Sequence, residues 1–378
     1  MHTLRHTISE LIYSSPISSP AHFTHPHIHI YSHSIPAYLY IFVLFYDIIL
    51  VNMLLKSRMS LAKLVMAKLL SVFLFMEVIA SGFRFGVDGL RMDYYIMTCP
   101  FGEQIVKNAV DRALDDDPTL AAALVRMHFH DCFIEGCDGS VLIDSTQDNK
   151  AEKDSPGNLS LRGYEVIDDA KNQLEEQCPG VVSCADIIAM AARDAIFWAG
   201  GPIYDIPKGR KDGRRSKIED TINLPFPTFN ASELIRAFGQ RGFTAQEMVV
   251  LSGAHTIGVA RCSSFKSRLT GVDPTLDSDF AKTLSKTCSA GDNAEQPFDA
   301  TRNDFDNLYF NALIRKAGVL FSDQTLLTNA KTRAAVNGYA MNQAMFFLDF
   351  QQAMVKMGMV DVKEGGKGEV RHNCRKIN

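Results

Sequence analysis

The chain has 378 residues, a formal net charge of -4 at pH 7 and a hydrophobic content of 46%. This length and apolar content are those of one large or two ordinary globular domains. The weakly acidic charge balance gives no electrostatic reason to expect nucleic acid as a partner.

The first 58 residues are rich in His, Ser, Pro and Tyr, and they turn apolar between residues 37 and 55. The apolar run approaches the length of a membrane span, although Asp47 interrupts it. Because Met59 offers a second start, we interpret residues 1–58 as an over-extended gene model or an untranslated leader. A membrane anchor at residues 37–55 is the alternative.

Residues 59–82 have the layout of a secretory signal, with a basic start at Lys63, a short apolar core and small residues at the end. All eight cysteines lie between Cys99 and Cys374, without the paired spacing of a zinc site. Disulfides persist in oxidising compartments, so the even cysteine count agrees with export. We therefore predict a signal peptide at residues 59–82 and a mature domain at residues 83–378.

Helical patterns dominate the mature region. Asp117 followed by Pro118 predicts the start of a helix over residues 120–130, with Pro in its first turn. Further helices are predicted over residues 184–198 after Ser183, from Asn230 onward, from the Thr244–Glu247 capping box to Gly253, over 305–317, and over 332–357 as at least one helix. Alternating strand patterns are scarce. We predict a mainly α domain made of two packed lobes.

The segment from residue 124 to 140 carries the strongest functional pattern. Arg126 and His130 lie one helical turn apart, on the same helix face, so a cation and a titratable imidazole would point at one place. A short loop between Cys132 and Cys137 follows directly. It is flanked by the oxygen donors Asp131, Asp138 and Ser140. The combination predicts an active site.

A second histidine, His255, follows the predicted helix end at Gly253. A lone histidine near a helix end is more often a C-terminal cap than a ligand, and this segment alone leaves that alternative open. Together with Arg126 and His130, however, it supplies what a haem enzyme needs. Such an enzyme uses one axial histidine and, opposite it, an acid–base group with a positive stabiliser.

Four segments together resemble the class III secretory plant peroxidases: residues 124–140, 151–158, 249–262 and 321–324. The resemblance covers about residues 90–378. It implies a two-lobed, mainly α haem peroxidase fold with one haem b between distal and proximal parts, and two calcium ions. It also implies reduction of hydrogen peroxide and one-electron oxidation of small phenolic donors.

The resemblance implies that His255 is the axial iron ligand and that Asp323 accepts its other ring N–H, which makes the imidazole more basic. His130 would be the distal base that takes a proton from peroxide and returns it to the leaving oxygen. Asn158 would hold His130 in the required tautomer, and Arg126 would stabilise charge as the O–O bond breaks.

Two further residues gain roles from the resemblance. Phe129 would wall the distal haem face, and Pro225 matches a proline of the aromatic-donor site. Phe298 stands where some intracellular relatives place a tryptophan, and the only tryptophan is Trp198 on another predicted helix. We therefore expect small phenols as donors, in preference to a protein electron donor.

The resemblance places a distal calcium ion in the oxygen-rich loop, since hard oxygen ligands suit calcium. The implied ligands are Asp131, Asp138, Ser140 and the carbonyls of Ile134 and Gly136, with Glu152 acting through water. A solvated acidic loop is the alternative. The implied proximal ligands are Thr256, Asp299, Thr301, Asp306 and the carbonyl of Asp304. Here the chain is one residue shorter than the commoner family pattern and lacks its Thr-Pro.

The family's disulfide pattern implies the pairs Cys99–Cys178, Cys132–Cys137, Cys184–Cys374 and Cys262–Cys288. Glycosylation at the Asn158 sequon would remove that side chain from the distal network, so Asn230 is the candidate acceptor. Only four residues follow Cys374, without the extension that directs some relatives to the vacuole. We expect a monomer in the extracellular space or cell wall.

Two other functions compete with a peroxidase. A catalytically weakened haem- or calcium-binding wall protein would keep the fold, but its usual sign, a missing Arg126, His130 or His255, is not seen. A non-haem metalloprotein could use His128, His130 and Asp131. Histidines two apart diverge on a helix and do not easily share a metal, so we expect His128 to be a core residue.

Overall fold

The computed structural model describes residues 89–271 and 273–378. The leader proposed at residues 1–58, its alternative as an anchor at 37–55, and the signal at 59–82 all lie outside the described residues. Residues 83–88 of the predicted mature domain also lie outside them. Across the described ranges, no helix combines the length and apolarity needed to cross a bilayer.

Helices form most of the described chain, which confirms the mainly α prediction. The eleven α-helices of residues 89–271 and 273–378 are α1 (Gly102–Asp116), α2 (Leu120–Ile134), α3 (Tyr164–Gln177), α4 (Cys184–Trp198), α5 (Ala231–Gln240), α6 (Ala245–Ser252), α7 (Ser278–Cys288), α8 (Leu308–Ile314), α9 (Phe321–Thr328), α10 (Arg333–Met341) and α11 (Gln343–Met357). Two short antiparallel strands, β1 (Val259–Arg261) and β2 (Glu295–Pro297), pair with Ala260 opposite Gln296.

The helices pack into two groups around a shared apolar core. In the first group α4 packs against α1, α2 and α3. In the second group α6 packs against α5, α10 and α11, and α8 packs against α10. Both α2 and α4 are apolar on nearly every side, which is the pattern of a helix buried within a core. The side chain of His130 therefore projects from a helix that is largely buried within the core.

Local capping chemistry explains where several helices begin. Ser183 Oγ accepts the N–H of Asp186 at 3.2 Å, which starts α4 at the predicted residue. Thr244 Oγ1 accepts the N–H of Glu247 at 3.1 Å, and Glu247 accepts the N–H of Thr244 in return, which completes the predicted capping box. Asn230 makes the equivalent box at the start of α5.

The structure corrects two predicted helix limits. The helix predicted over 305–317 is shortened to α8, because Asp306 Oδ1 accepts the N–H of Leu308 at 2.7 Å and Lys316 has φ +57°. The region 332–357, predicted as at least one helix, contains two, because the extended backbone of Asn342 ends α10 and its side chain caps α11. Helix α2 begins at Leu120, not directly after Asp117, because Asp117 and Pro118 belong to a preceding turn.

Four disulfides join the same cysteine pairs that the family resemblance implies, namely Cys99–Cys178, Cys132–Cys137, Cys184–Cys374 and Cys262–Cys288. The third bond spans 190 residues and ties the C-terminal segment to the start of α4. Beside it, the fully buried Arg371 donates to the carbonyl of Gly139 at 2.6 Å. Gly139 has φ +69°, and a Cβ there would lie 2.6 Å from the Arg371 guanidinium, so this contact requires glycine.

Candidate active site

The distal histidine is held by an amide. His130, on α2, is 7% exposed, and its Nδ1 lies 2.6 Å from Asn158 Oδ1. Asn158 donates its Nδ2 to the carbonyl of Glu152 at 2.8 Å, which fixes the amide so that its oxygen faces the ring. The Nδ1 therefore carries the proton, and Nε2 carries the lone pair.

His130 is neutral over the physiological range. Burial, together with the charge of Arg126, lowers the pKa of His130 from 6.5 to about 3, although the Asn158 hydrogen bond opposes that change. A neutral imidazole with a fixed tautomer can accept a proton at Nε2 without first losing one.

Arg126 lies against the chain segment that carries Asn158. Its guanidinium donates to the hydroxyl of Ser160 at 3.0 Å and to the carbonyl of Gly157 at 2.8 Å. Burial lowers the pKa of Arg126 to about 10, which leaves the side chain protonated at neutral pH. The Phe129 ring meets the His130 ring edge-on at 5.7 Å. One short segment thus orients both the imidazole and the fixed cation.

The proximal histidine is held by a carboxylate. His255 lies on the 3₁₀ turn Gly253–Thr256 that follows α6, and its Nδ1 is 2.8 Å from Asp323 Oδ1. The Phe298 ring stacks on the imidazole at 4.3 Å with an interplanar angle of 4°. Because the ring bonds to Asp323 and not to the carbonyls at the end of α6, the geometry disfavours the helix-cap alternative.

The two histidine-bearing segments are direct neighbours. Helix α2 contacts the turn Gly253–Thr256. Gly258 has φ +93°, and a Cβ at this position would lie 2.7 Å from the Cβ of Ala122 on α2. The donor set fits a haem, because one imidazole is anchored by a carboxylate with Nε2 left to bind iron, and the other stands beside a cation.

Three buried carboxylates surround the oxygen-rich loop. Asp131, Asp138 and Glu152 are each at most 2% exposed, and burial raises the pKa of all three. Repulsion from the two aspartates adds to the shift of Glu152, whose pKa is about 9. Ser140 Oγ donates to Glu152 Oε2 at 3.2 Å, whereas Oε1 has no partner among the residues that the structure describes. Buried carboxylates of this kind need a compensating cation, which fits the expected calcium ion.

The carbonyls expected in the same site have protein partners. Gly136 O accepts the N–H of Asp138 at 2.8 Å, while Ile134 O accepts from Asn223 at 3.1 Å and Arg241 at 2.8 Å. Within residues 89–271 and 273–378 no three His, Cys, Asp or Glu side chains form a metal cluster. The expected ligand set is of another kind, since it combines two carboxylates with a hydroxyl and carbonyls.

Four of the five expected proximal calcium ligands converge. Thr256 Oγ1 lies 2.8 Å from Asp299 Oδ2 and 3.0 Å from Asp306 Oδ1. Thr301 Oγ1 lies 3.2 Å from Asp299 Oδ1 and 2.8 Å from Asp306 Oδ2. Asp304 donates its N–H to the carbonyl of Thr301, so it belongs to the same turn. Burial and the charge of Asp306 raise the pKa of Asp299 to about 6.

The remaining predicted residues lie around this centre. Pro225 follows the buried Leu224, which packs near Gly157 beside Asn158, so the loop of Pro225 borders the distal segment. His128 is buried, with its Nδ1 3.6 Å from Cys132 Sγ, and burial lowers its pKa to about 3. It is a core histidine.

One residue of the site escaped the sequence reasoning. Tyr309 on α8 donates its hydroxyl to Asp323 Oδ1 at 3.0 Å, the same oxygen that bonds His255. No local pattern marks Tyr309, because its partner lies on a different helix.

Comparison with known proteins agrees with this geometry. The family model described as Peroxidase matches residues 106–342. Peroxidase 47 of Arabidopsis thaliana is 72% identical over 316 residues, which cover 84% of this chain and 97% of that protein. Peroxidase 64 of the same plant is 50% identical over 302 residues (78% and 94%), and Peroxidase 5 of Vitis vinifera is 48% identical over 301 residues (76% and 92%). The chain therefore belongs to the class III plant peroxidases, which are haem enzymes.

Proposed function

We propose that this peroxidase binds one haem b through His255 and reduces hydrogen peroxide with His130 as the proton-transfer group. The observation that supports this assignment is the pair of imidazoles anchored at Nδ1, one by Asn158 and one by Asp323, on segments that touch. When bound, the haem would supply the two electrons that peroxide cleavage needs and would be restored by a donor one electron at a time.

The distal residues move and stabilise charge. His130 Nε2 takes a proton from one peroxide oxygen and returns it to the other, so that water leaves in place of hydroxide. Asn158 keeps Nδ1 protonated during both transfers. The Arg126 guanidinium is fixed before the reaction, so it stabilises the negative charge that develops on the departing oxygen without reorganisation.

The proximal residues keep one imidazole bound and electron-rich. Asp323 accepts the Nδ1–H of His255, which leaves the Nε2 lone pair available to hold the haem iron and raises its basicity. The stacked Phe298 ring fixes the rotation of the imidazole.

Two calcium ions are part of the proposal. The distal ion would be bound by Asp131, Asp138, Ser140 and the carbonyls of Ile134 and Gly136, with Glu152 in reach through water, and it would compensate the buried negative charge of these carboxylates. The proximal ion would be bound by Asp299, Thr301, Asp306, the carbonyl of Asp304 and Thr256, the residue that follows His255. Each ion thereby stiffens the segment that carries one histidine.

The donors in this proposal are small phenols. Phe298, and not a tryptophan, contacts His255, while the indole of Trp198 bonds Asp115 on α1. A tryptophan radical relay to a protein donor is therefore not available beside His255. Pro225 would contribute to the donor site at the border of the distal segment.

We place the mature enzyme outside the cell, in the wall or the extracellular space, as a monomer acting in lignification, peroxide removal or stress response. Four disulfides are compatible with an oxidising compartment. The exposed Asn230 is the proposed glycosylation site, because Asn158 is buried and bonded through both ends of its amide.

Stopped-flow absorption spectroscopy tests the function. Haem- and calcium-loaded protein is mixed with hydrogen peroxide and then with a phenol. We expect a rapid change of the haem spectrum that the phenol reverses in two one-electron steps. A haem spectrum that peroxide leaves unaltered would favour the weakened haem-binding protein instead.

A further inference from the structure

The proximal carboxylate has a second side-chain donor. Asp323 Oδ1 accepts the Nδ1–H of His255 at 2.8 Å and the hydroxyl of Tyr309 at 3.0 Å. The other oxygen, Oδ2, accepts the backbone N–H of Leu320 at 3.2 Å. The histidine and the tyrosine therefore compete for the electron density of one carboxylate oxygen.

This arrangement is buried and rigid. Tyr309 is 1% exposed and Asp323 is 2% exposed, so the bond between them is shielded from bulk water. The Tyr309 ring packs edge-on against Phe310 at 5.0 Å and edge-on to His255 at 6.0 Å. Burial and the nearby Asp323 carboxylate raise the pKa of Tyr309 well above its usual value, so the hydroxyl remains a donor.

We propose that Tyr309 is a positioning residue that limits how strongly Asp323 draws on the Nδ1 proton of His255. The proposal rests on the assignment of His255 as the axial ligand. A carboxylate that already accepts a tyrosine hydroxyl is a weaker acceptor for the imidazole N–H. The imidazole is then less anionic in character and a weaker electron donor through Nε2. Tyr309 would thus set the balance between oxidised and reduced iron.

The test is Tyr309→Phe in the haem- and calcium-loaded full chain. We expect the midpoint potential of the ferric–ferrous couple, measured by spectroelectrochemical titration, to fall by about 59 mV, which is a tenfold change in a one-electron equilibrium. The iron–histidine stretching band of the reduced protein should move to higher frequency in resonance Raman spectra, because the imidazole donates more strongly.

A matched control removes another buried hydroxyl that bonds a carboxylate. Tyr339 donates to Asp349 at 2.7 Å, whereas His255 bonds Asp323, so Tyr339→Phe should leave both readings unchanged. Should Tyr309→Phe fail to fold or to retain haem, site-specific replacement of Tyr309 by 3-fluorotyrosine keeps the ring. Its more acidic hydroxyl donates more strongly, so the potential should rise.

The outcomes distinguish the axial role of His255 from the positioning role of Tyr309. A wild-type protein with no iron–histidine band would overturn the axial role of His255. A wild-type band that is present, but a potential and frequency that neither Tyr309 replacement moves, would overturn the role of Tyr309 alone. Shifts of equal size in Tyr339→Phe would also overturn it, because they would indicate a general effect of losing a buried hydroxyl.

Discussion

The distal and proximal halves of the site use the same imidazole contact with partners of different charge. His130 Nδ1 bonds the neutral amide of Asn158 at 2.6 Å, whereas His255 Nδ1 bonds the carboxylate of Asp323 at 2.8 Å. Both contacts fix the tautomer. Only the carboxylate adds negative charge, so it makes its histidine the stronger electron donor. The amide leaves its histidine a weak base that releases the proton it accepts.

The surroundings reinforce the difference. His130 is 7% exposed and lies beside the cationic Arg126. Burial and this charge lower the pKa of His130 to about 3, so the imidazole stays neutral at any pH well above that value. The side chain of His255 is 38% exposed and stacks on Phe298. The same residue type thus stands in two environments, one suited to the proposed reversible proton carrier and the other to the proposed permanent ligand.

Removing the imidazole of His130 or of His255 should give the largest difference between the distal and proximal halves of the site. His130→Ala should retain haem but slow its reaction with peroxide by about 10²- to 10⁴-fold, the usual contribution of a positioned acid–base group. His255→Ala should mainly lose haem. Stopped-flow rates and the haem absorbance per protein after gel filtration measure the two effects.

The exposed His372, which bonds Glu175 at the surface, supplies the control for these two variants, and His372→Ala should change neither quantity. An unchanged peroxide rate in His130→Ala would contradict the distal assignment.

Replacing Asn158, the hydrogen-bond partner of His130, should change the pH dependence of the peroxide reaction. The peroxide reaction needs neutral His130, so its rate falls as the pH drops through the pKa of that residue. In Asn158→Asp, a carboxylate would stabilise the imidazolium and raise this pKa from about 3 by at least about one unit, which is about 1.4 kcal/mol. The acid limb of the pH–rate profile should move upward accordingly. In Asp323→Asn the acid limb of the pH–rate profile should not move. If the acid limb also stays in place in Asn158→Asp, the amide of Asn158 does not set the pKa of His130.

Calcium removal should affect the distal half more than the proximal half. Without a cation, the raised pKa of Glu152, about 9 against 4.5, means that the folded state holds a proton that the unfolded state releases. Stability of the calcium-free protein should therefore fall as the pH rises from about 4.5 to 9. We expect the loss of melting temperature on chelation to be larger at pH 8 than at pH 5.

The proximal carboxylate Asp299, with a pKa of about 6, should contribute less to this loss and at lower pH. Melting curves of Glu152→Gln, measured with and without a chelator, provide the comparison. A chelation effect that is equal at both pH values in the wild type would argue against the distal ion.

The aromatic neighbours should give the smallest effect. Phe298 stacks in parallel on His255, whereas Phe129 meets His130 edge-on. Aromatic pairs contribute about 0.5–1.5 kcal/mol beyond burial, so Phe298→Leu should raise the haem dissociation rate by no more than about tenfold. Transfer of haem to an acceptor protein measures this rate. An increase comparable to that of His255→Ala would mean that stacking, and not ligation, retains the haem.

Local signals allowed parts of the fold to be predicted from the sequence. Ser183, Asn230 and Thr244 each cap a helix through bonds within three residues, so their helices start where predicted. No sequence pattern predicts helix α1, and within the described ranges no side chain caps its start at Phe101. It is held by packing against α3 and α4, which a single sequence does not display.

In the candidate site, too, local spacing could be predicted from the sequence, whereas contacts between distant residues could not. The spacing of Arg126 and His130 on one helix is visible in the sequence. The bond from Asn158 to His130 and the bond from Asp323 to His255 cross 28 and 68 residues, and they were expected only through the family resemblance. The hydroxyl of Tyr309 was missed altogether, because neither spacing nor resemblance pointed to it.

The contact between Arg371 and Gly139 has a consequence for biosynthesis. The two residues are 232 positions apart, so the loop that precedes the distal calcium ligand Ser140 leaves the ribosome long before the side chain that secures it. Closure of Cys184 with Cys374 comes equally late. A nascent chain interrupted before residue 371 would carry both His130 and His255 without the contact that secures the distal loop. Completion of the proposed centre would therefore depend on completed translation and on the oxidation of Cys184 with Cys374.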